Sequence, residues 1–154
     1  MAIATLERQV TTGDRHGELA RVILMAAAAA AQSERSDMAL LLDHALALER
    51  QMVRDGSGGA AGVTAHEAAG DLWLQVHRFE AAAAAYVAAA ELFGNTPRIT
   101  LGLARTAVQM NQREPACRAY RQLVTNWTGS GSVAEIVEAR AFIADECMAA
   151  PPNE

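Results

Sequence analysis

The chain has 154 residues, a size that fits one domain, and its 51% hydrophobic content suffices for a core although alanine inflates the figure. The net charge of −5 arises from 18 acids against 13 cations, and those cations are arginines interspersed with acids, so no basic stripe exists to hold nucleic acid. Aromatics make up 5% of the chain and β-branched residues are sparse, whereas alanine, leucine, glutamate, glutamine and arginine, which lose least on entering a helix, predominate. An all-α protein follows.

Helices are predicted, in chain order, over 15–32, 36–54, 65–76, 79–93, 98–110, 113–127 and 133–148. Residues 1–14 read as an N-terminal segment and 149–154 as an unpatterned tail. The first helix carries RVILMAAAAAAQS, which has the apolar run and small residues of a secretory signal, but Glu7, Asp14 and Glu18 leave no positive flank before it, so a cleaved signal is not expected. No apolar run reaches the ~18 residues of a membrane span. Ser36 and Asp37 are expected to cap the second helix, Thr64 the third, Thr96 before Pro97 the fifth and Ser132 the last, each offering an oxygen to unpaired N–H groups. Arg54 to Val63, rich in glycine and without periodicity, reads as a loop.

A repeat organises these elements. Gly70, Trp73, His77, Phe79, Ala82, Tyr86 and Ala89 align, 34 residues on, with Ala104, Ala107, Asn111, Arg113, Ala116, Tyr120 and Leu123. A shift of 44 brings Ala26, Ala29, Ser33, Met38, Leu42 and Ala45 into the same register, the ten extra residues falling in the glycine-rich loop. Three helical hairpins result, over 15–54, 65–93 and 98–127, followed by a capping helix over 133–148. The alanines of HRFEAAAAAYVAAAEL let helix axes approach toward the short end of the ~8–10 Å range, with Phe79 and Tyr86 filling the gaps. In the last helix Val133, Ile136, Val137, Ile143 and Cys147, with Phe142 at an edge, are expected to shield the helix that bears Cys117, Tyr120 and Leu123.

AAGDLWLQVHRFEAAAAAYVAAAEL, LGLARTAVQMNQREPACRAYRQLV and VEARAFIA resemble tetratricopeptide repeats of a bacterial type that ends in a short capping helix, over roughly Gly17 to Cys147. The resemblance implies a single domain over 15–148, a right-handed α-solenoid that binds a protein or peptide in a concave groove lined by the first helix of each hairpin. Carried across by register, the groove comprises Ala20, Ile23, Ala27, Ala30 and Ala31, then Thr64, Glu67, Asp71, Leu74 and Gln75, then Arg98, Leu101, Arg105, Val108 and Gln109. That surface would be apolar at one end, acidic in the middle and basic at the other. Members that grip a C-terminal carboxylate use lysine and asparagine, and here those places hold Ile23, Ala27, Glu67, Asp71 and Leu101, so that clamp is absent.

Chemistry is not indicated. His66, Glu67 and Asp71 form HExxxD, which lacks the second histidine of a zinc-protease helix; His66 is read as packing at the hairpin edge, and Glu67 and Asp71 as groove carboxylates. DGSGGAAG has neither the lysine nor the strand of a phosphate loop. Cys117 and Cys147, 30 residues apart and outside any CxxC spacing, read as buried structural cysteines in a reducing cytoplasm. The expectation is a non-catalytic adaptor or scaffold without cofactor or metal. The alternatives are a docking or regulatory small subunit of a larger enzyme and, ranked lower, a metal-binding protein. A homodimer is compatible with the apolar first helix, whose outer edge needs a cover.

Overall fold

The computed structural model describes residues 14–57, 64–129 and 133–148. Among these there are seven α-helices and no strand: α1 (Arg15–Ala31), α2 (Arg35–Arg54), α3 (Ala65–Gln75), α4 (Phe79–Phe93), α5 (Pro97–Gln109), α6 (Arg113–Asn126) and α7 (Ala134–Glu146). The chain divides into two compact units whose boundary falls within α3, between Leu72 and Trp73. In the first, α1 packs on α2; in the second, α4 packs on α5, α5 on α6 and α6 on α7, a succession compatible with a helical repeat.

Three of the turns between helices share one backbone conformation, which is compatible with a helical repeat. Ser33, His77 and Asn111, the three turn residues at spacings of 44 and 34, adopt φ values of 64°, 60° and 56°. Each is followed by the same wide hydrogen bond, Glu34 N–H to Ala29 O at 2.9 Å, Arg78 N–H to Trp73 O at 2.8 Å and Gln112 N–H to Ala107 O at 2.8 Å. A left-handed residue after a helix with this six-to-one bond is a Schellman ending, which satisfies carbonyls the helix leaves open. Glycine is the usual occupant and asparagine tolerates the conformation; serine and histidine adopt it here with the same six-to-one bond.

Side-chain burial follows the same register. Met38, Ala82 and Ala116 are buried, as are Leu42, Tyr86 and Tyr120 one turn later, and Ala45, Ala89 and Leu123 after them. Within the second unit the Tyr86 ring packs against the backbone of Gly102 on α5, which explains why a residue without a side chain stands there. A separate cluster of Ala104, Tyr120, Leu123, Ile136 and Ala139 joins α5, α6 and α7, with Trp127, Phe142 and Ile143 packed against it.

Thr96 caps α5, its Oγ1 accepting from Ile99 N–H at 3.3 Å, with Pro97 at the first helical position. Asp14, unanticipated, caps α1 by accepting from His16 N–H at 3.0 Å. Ser36 and Asp37 do not cap α2: that helix starts at Arg35, with Glu34 at its N-cap making no side-chain cap bond. Val133 and Val137 are exposed, so the face α7 buries is Ile136 and Ala139 with Phe142 and Ile143 against the cluster, a rotation from the expected one. The cap at Ser132, the segment 1–13, most of the glycine-rich loop (58–63) and the tail 149–154 lie outside the described residues.

Candidate functional site

In the first unit the N-terminus of α3 is built around two buried acids. Thr64 and Glu67 form a reciprocal capping box: Thr64 Oγ1 accepts from Glu67 N–H at 3.0 Å, and Glu67 Oε2 accepts from Thr64 N–H at 2.9 Å. Glu49, reaching over from α2, accepts from Ala65 N–H at 2.6 Å and from His66 N–H at 3.2 Å. The His66 ring Nδ1 lies 2.5 Å from the same carboxylate. Glu49 and His66 are 5% and 4% exposed, so this carboxyl group is sequestered from water and its oxygens are matched by helix N–H groups and the imidazole.

These contacts give Glu67 a structural task, with only 5% of the residue exposed. His66 is buried in the α2–α3 packing through Glu49, where the sequence suggested a hairpin edge. Asp71 is exposed, Ala27 is half-buried, and Ile23 packs against the core of Val22, Ala45 and Ala65. Among the described residues no three His, Cys, Asp or Glu side chains converge as metal ligands.

The second unit holds the more open site. Leu74, Gln75, Arg105, Val108 and Gln109, five of the residues expected in a groove, line one surface cavity of about 400 Å³ together with His77, Phe79, Tyr120 and Glu138. Two features position them: α3 ends and turns at His77, and Arg105, Val108 and Gln109 share a face of α5 at helical spacing. Leu101 instead packs against the α5–α6–α7 cluster, and Arg98 is exposed in the first turn of α5.

Arg105 does not leave this end of the surface basic. Its Nε donates to Glu138 Oε1 at 3.0 Å and its NH2 donates to Oε2 at 2.6 Å, a two-pronged pair between α5 and α7. The Tyr120 hydroxyl donates to Glu138 Oε1 at 2.6 Å. The hydrogen bond from Arg105 holds the Glu138 carboxyl below its ordinary range, against desolvation and with help from Tyr120. The same hydrogen bond raises Arg105, while burial chiefly, then the bond to Glu138, pushes Tyr120 up. The cavity wall is therefore a locked, charge-compensated triad beside two exposed amides, Gln75 and Gln109, and the apolar surfaces of Leu74, Phe79 and Val108.

The cysteines correct the sequence reading: Cys117 on α6 and Cys147, at the C-cap of α7, are joined as a disulfide. Their 30-residue spacing carries no signal for this, because it is the packing of α7 along α6 that brings them together. Glu49 did leave a trace, standing in the apolar stripe Met38, Leu42, Ala45, Met52 of α2 where a carboxylate needs a buried partner. Among the described residues no helix is long and apolar enough to cross a membrane. Comparison of the chain with family models, with curated proteins and with solved structures gives no match.

Proposed function

We propose that this chain is a tetratricopeptide-type, right-handed helical solenoid acting as a non-catalytic adaptor or scaffold that takes a protein or peptide segment into the cavity between Gln75 and Gln109. The observation that carries the reading is the composition of that cavity. Leu74, Phe79 and Val108 offer apolar contact, Gln75 and Gln109 offer side-chain amides that both donate and accept, and the one cation, Arg105, is compensated by Glu138. Such a lining suits an extended polypeptide, whose backbone supplies matching donors and acceptors and whose side chains supply apolar area. It suits nucleic acid poorly, since phosphate recognition needs cations in excess.

The repeated left-handed turns at Ser33, His77 and Asn111 support the family reading, because a common turn at corresponding places of successive hairpins is what a stack of hairpins requires. Disulfides persist in oxidising compartments, so the Cys117–Cys147 pairing favours such a compartment over the reducing cytoplasm inferred from cysteine spacing.

The test is site-specific photo-crosslinking in the native host. A photoreactive residue at Gln109 is expected to trap a discrete partner polypeptide, whereas the same residue at Gln122, exposed on α6 and outside the cavity, traps none. Equal labelling from both positions would remove the cavity from the account.

A further inference from the structure

A second surface cavity, of about 370 Å³, opens over the disulfide and is lined by Arg113, Glu114, Cys117, Arg118, Arg121, Glu146 and Cys147. We propose that Cys117–Cys147 is a thiol-exchange site for an anionic small thiol, one that carries a carboxylate or sulfonate besides its sulfur, and that exchange there unfastens the C-terminal end of α7 from α6.

Three observations point the same way. Arg113 and Arg121 stand one helical turn on either side of Cys117, with Arg118 beside it, so the sulfur of α6 sits among guanidinium groups. Arg113 Nε donates to Glu146 O at 2.5 Å and Arg121 NH2 donates to Cys147 O at 3.1 Å, holding the end of α7 against the same face. Cys117 is 7% exposed whereas Cys147 is half-buried, so Cys147 is the more open of the two residues and the one at which attack is expected.

The exchange balances as two displacements. A thiolate attacks Cys147 Sγ, forming a mixed disulfide and expelling Cys117 as a thiolate, whose charge the flanking arginines stabilise. A second thiolate then attacks the small-molecule sulfur of the mixed disulfide, releasing the oxidised small disulfide and leaving Cys147 as a thiolate. Solvent protonates both protein sulfurs, so two small thiols are oxidised and one protein disulfide is reduced. Re-formation is the reverse of the two displacements, with the oxidised small disulfide accepting the two electrons and leaving as two thiolates, while Arg113 and Arg121, which bind the terminal carbonyls of α7 in the oxidised protein, favour return of the loosened end.

The experiment uses the folded, oxidised protein and three thiols of similar size: 2-mercaptoethanesulfonate, 2-mercaptoethanol and cysteamine. Rates per thiolate are read by alkylation and intact mass, with the mixed disulfide located by peptide mapping. The anionic thiol is expected to react about tenfold faster than the cationic one, the ratio shrinking as salt rises. Arg118→Gln with Arg121→Gln should flatten the series, and hydrogen exchange in the last turn of α7 should rise on reduction of the wild-type protein. Equal rates for the three thiols, an inverted order, or resistance of the bond until the chain is unfolded in urea would each overturn the proposal; the wild-type series stands even where the double variant does not fold.

Discussion

A Cβ built on Gly102 would stand 2.2 Å from Cε1 of Tyr86, closer than any side chain allows. Alanine in place of glycine inside a helix ordinarily stabilises by roughly 1 kcal/mol. Here the sign should invert, because Tyr86 is 2% exposed and has no room to retreat. Gly102→Ala is expected to destabilise by about 1–3 kcal/mol, the range for overpacked cores, read as a lower denaturation midpoint. An unchanged or raised midpoint would mean that the ring repacks freely.

The Glu49 carboxylate satisfies two N–H groups of α3 and the ring of His66 in a buried setting. Glu49→Leu should cost about 1–3 kcal/mol for each buried donor it leaves without an acceptor, whereas Thr64→Ala, which deletes one side of the capping box, should cost only about 1 kcal/mol. Urea denaturation of the two variants separates these magnitudes; similar losses would show that Glu49 is not the central group.

The Arg105–Glu138–Tyr120 triad makes stability depend on pH at both extremes. The folded value of Glu138 lies below its ordinary 4.5, so its contribution is complete above pH 4.5 and is lost as the pH falls through the folded value. Tyr120 shifts the other way, above its ordinary 10.0, so its contribution is complete below pH 10.0 and is lost as the pH rises towards the folded value. Arg105→Gln removes the hydrogen bond that chiefly lowers Glu138 and should flatten the acid limb of a stability-versus-pH curve. An acid limb identical to wild type would locate that pH dependence elsewhere.

The face that α7 buries is testable by a pair of neighbours. Ile136 is 1% exposed in the α5–α6–α7 cluster, and Val137 is 53% exposed. Ile136→Ala should cost about 2–5 kcal/mol, and Val137→Ala should stay within roughly 0.5 kcal/mol, both by thermal melting. The reverse ranking would turn the helix round.

Local features were legible in the sequence to within a residue or two. The helix borders, the cap at Thr96 and the positions of the three turns all follow from periodicity and from residues adjacent in the chain. What was missed couples residues far apart: Glu49 with the first turn of α3, Arg105 with Glu138, Cys117 with Cys147. Each depends on how two helices rotate about their own axes, which a hydrophobic stripe specifies loosely, and the misjudged side of α7 has the same origin. Groove positions carried over by register had the same weakness, since Glu67 is consumed by a capping box that its TAHE context, Thr64 followed three residues later by Glu67, already signalled.

The central claim is that Gln75 and Gln109 face a partner. Both are exposed, so Gln75→Lys with Gln109→Lys should leave folding intact, as a melting curve will show. Quantitative affinity capture from the native host then compares this variant with wild type and with Gln122→Lys, exposed on α6. The account predicts a stoichiometric partner retained by wild type and Gln122→Lys and reduced at least about tenfold, or ~1.4 kcal/mol, in the double variant. Retention of the same partner at full stoichiometry by the folded double variant would contradict it.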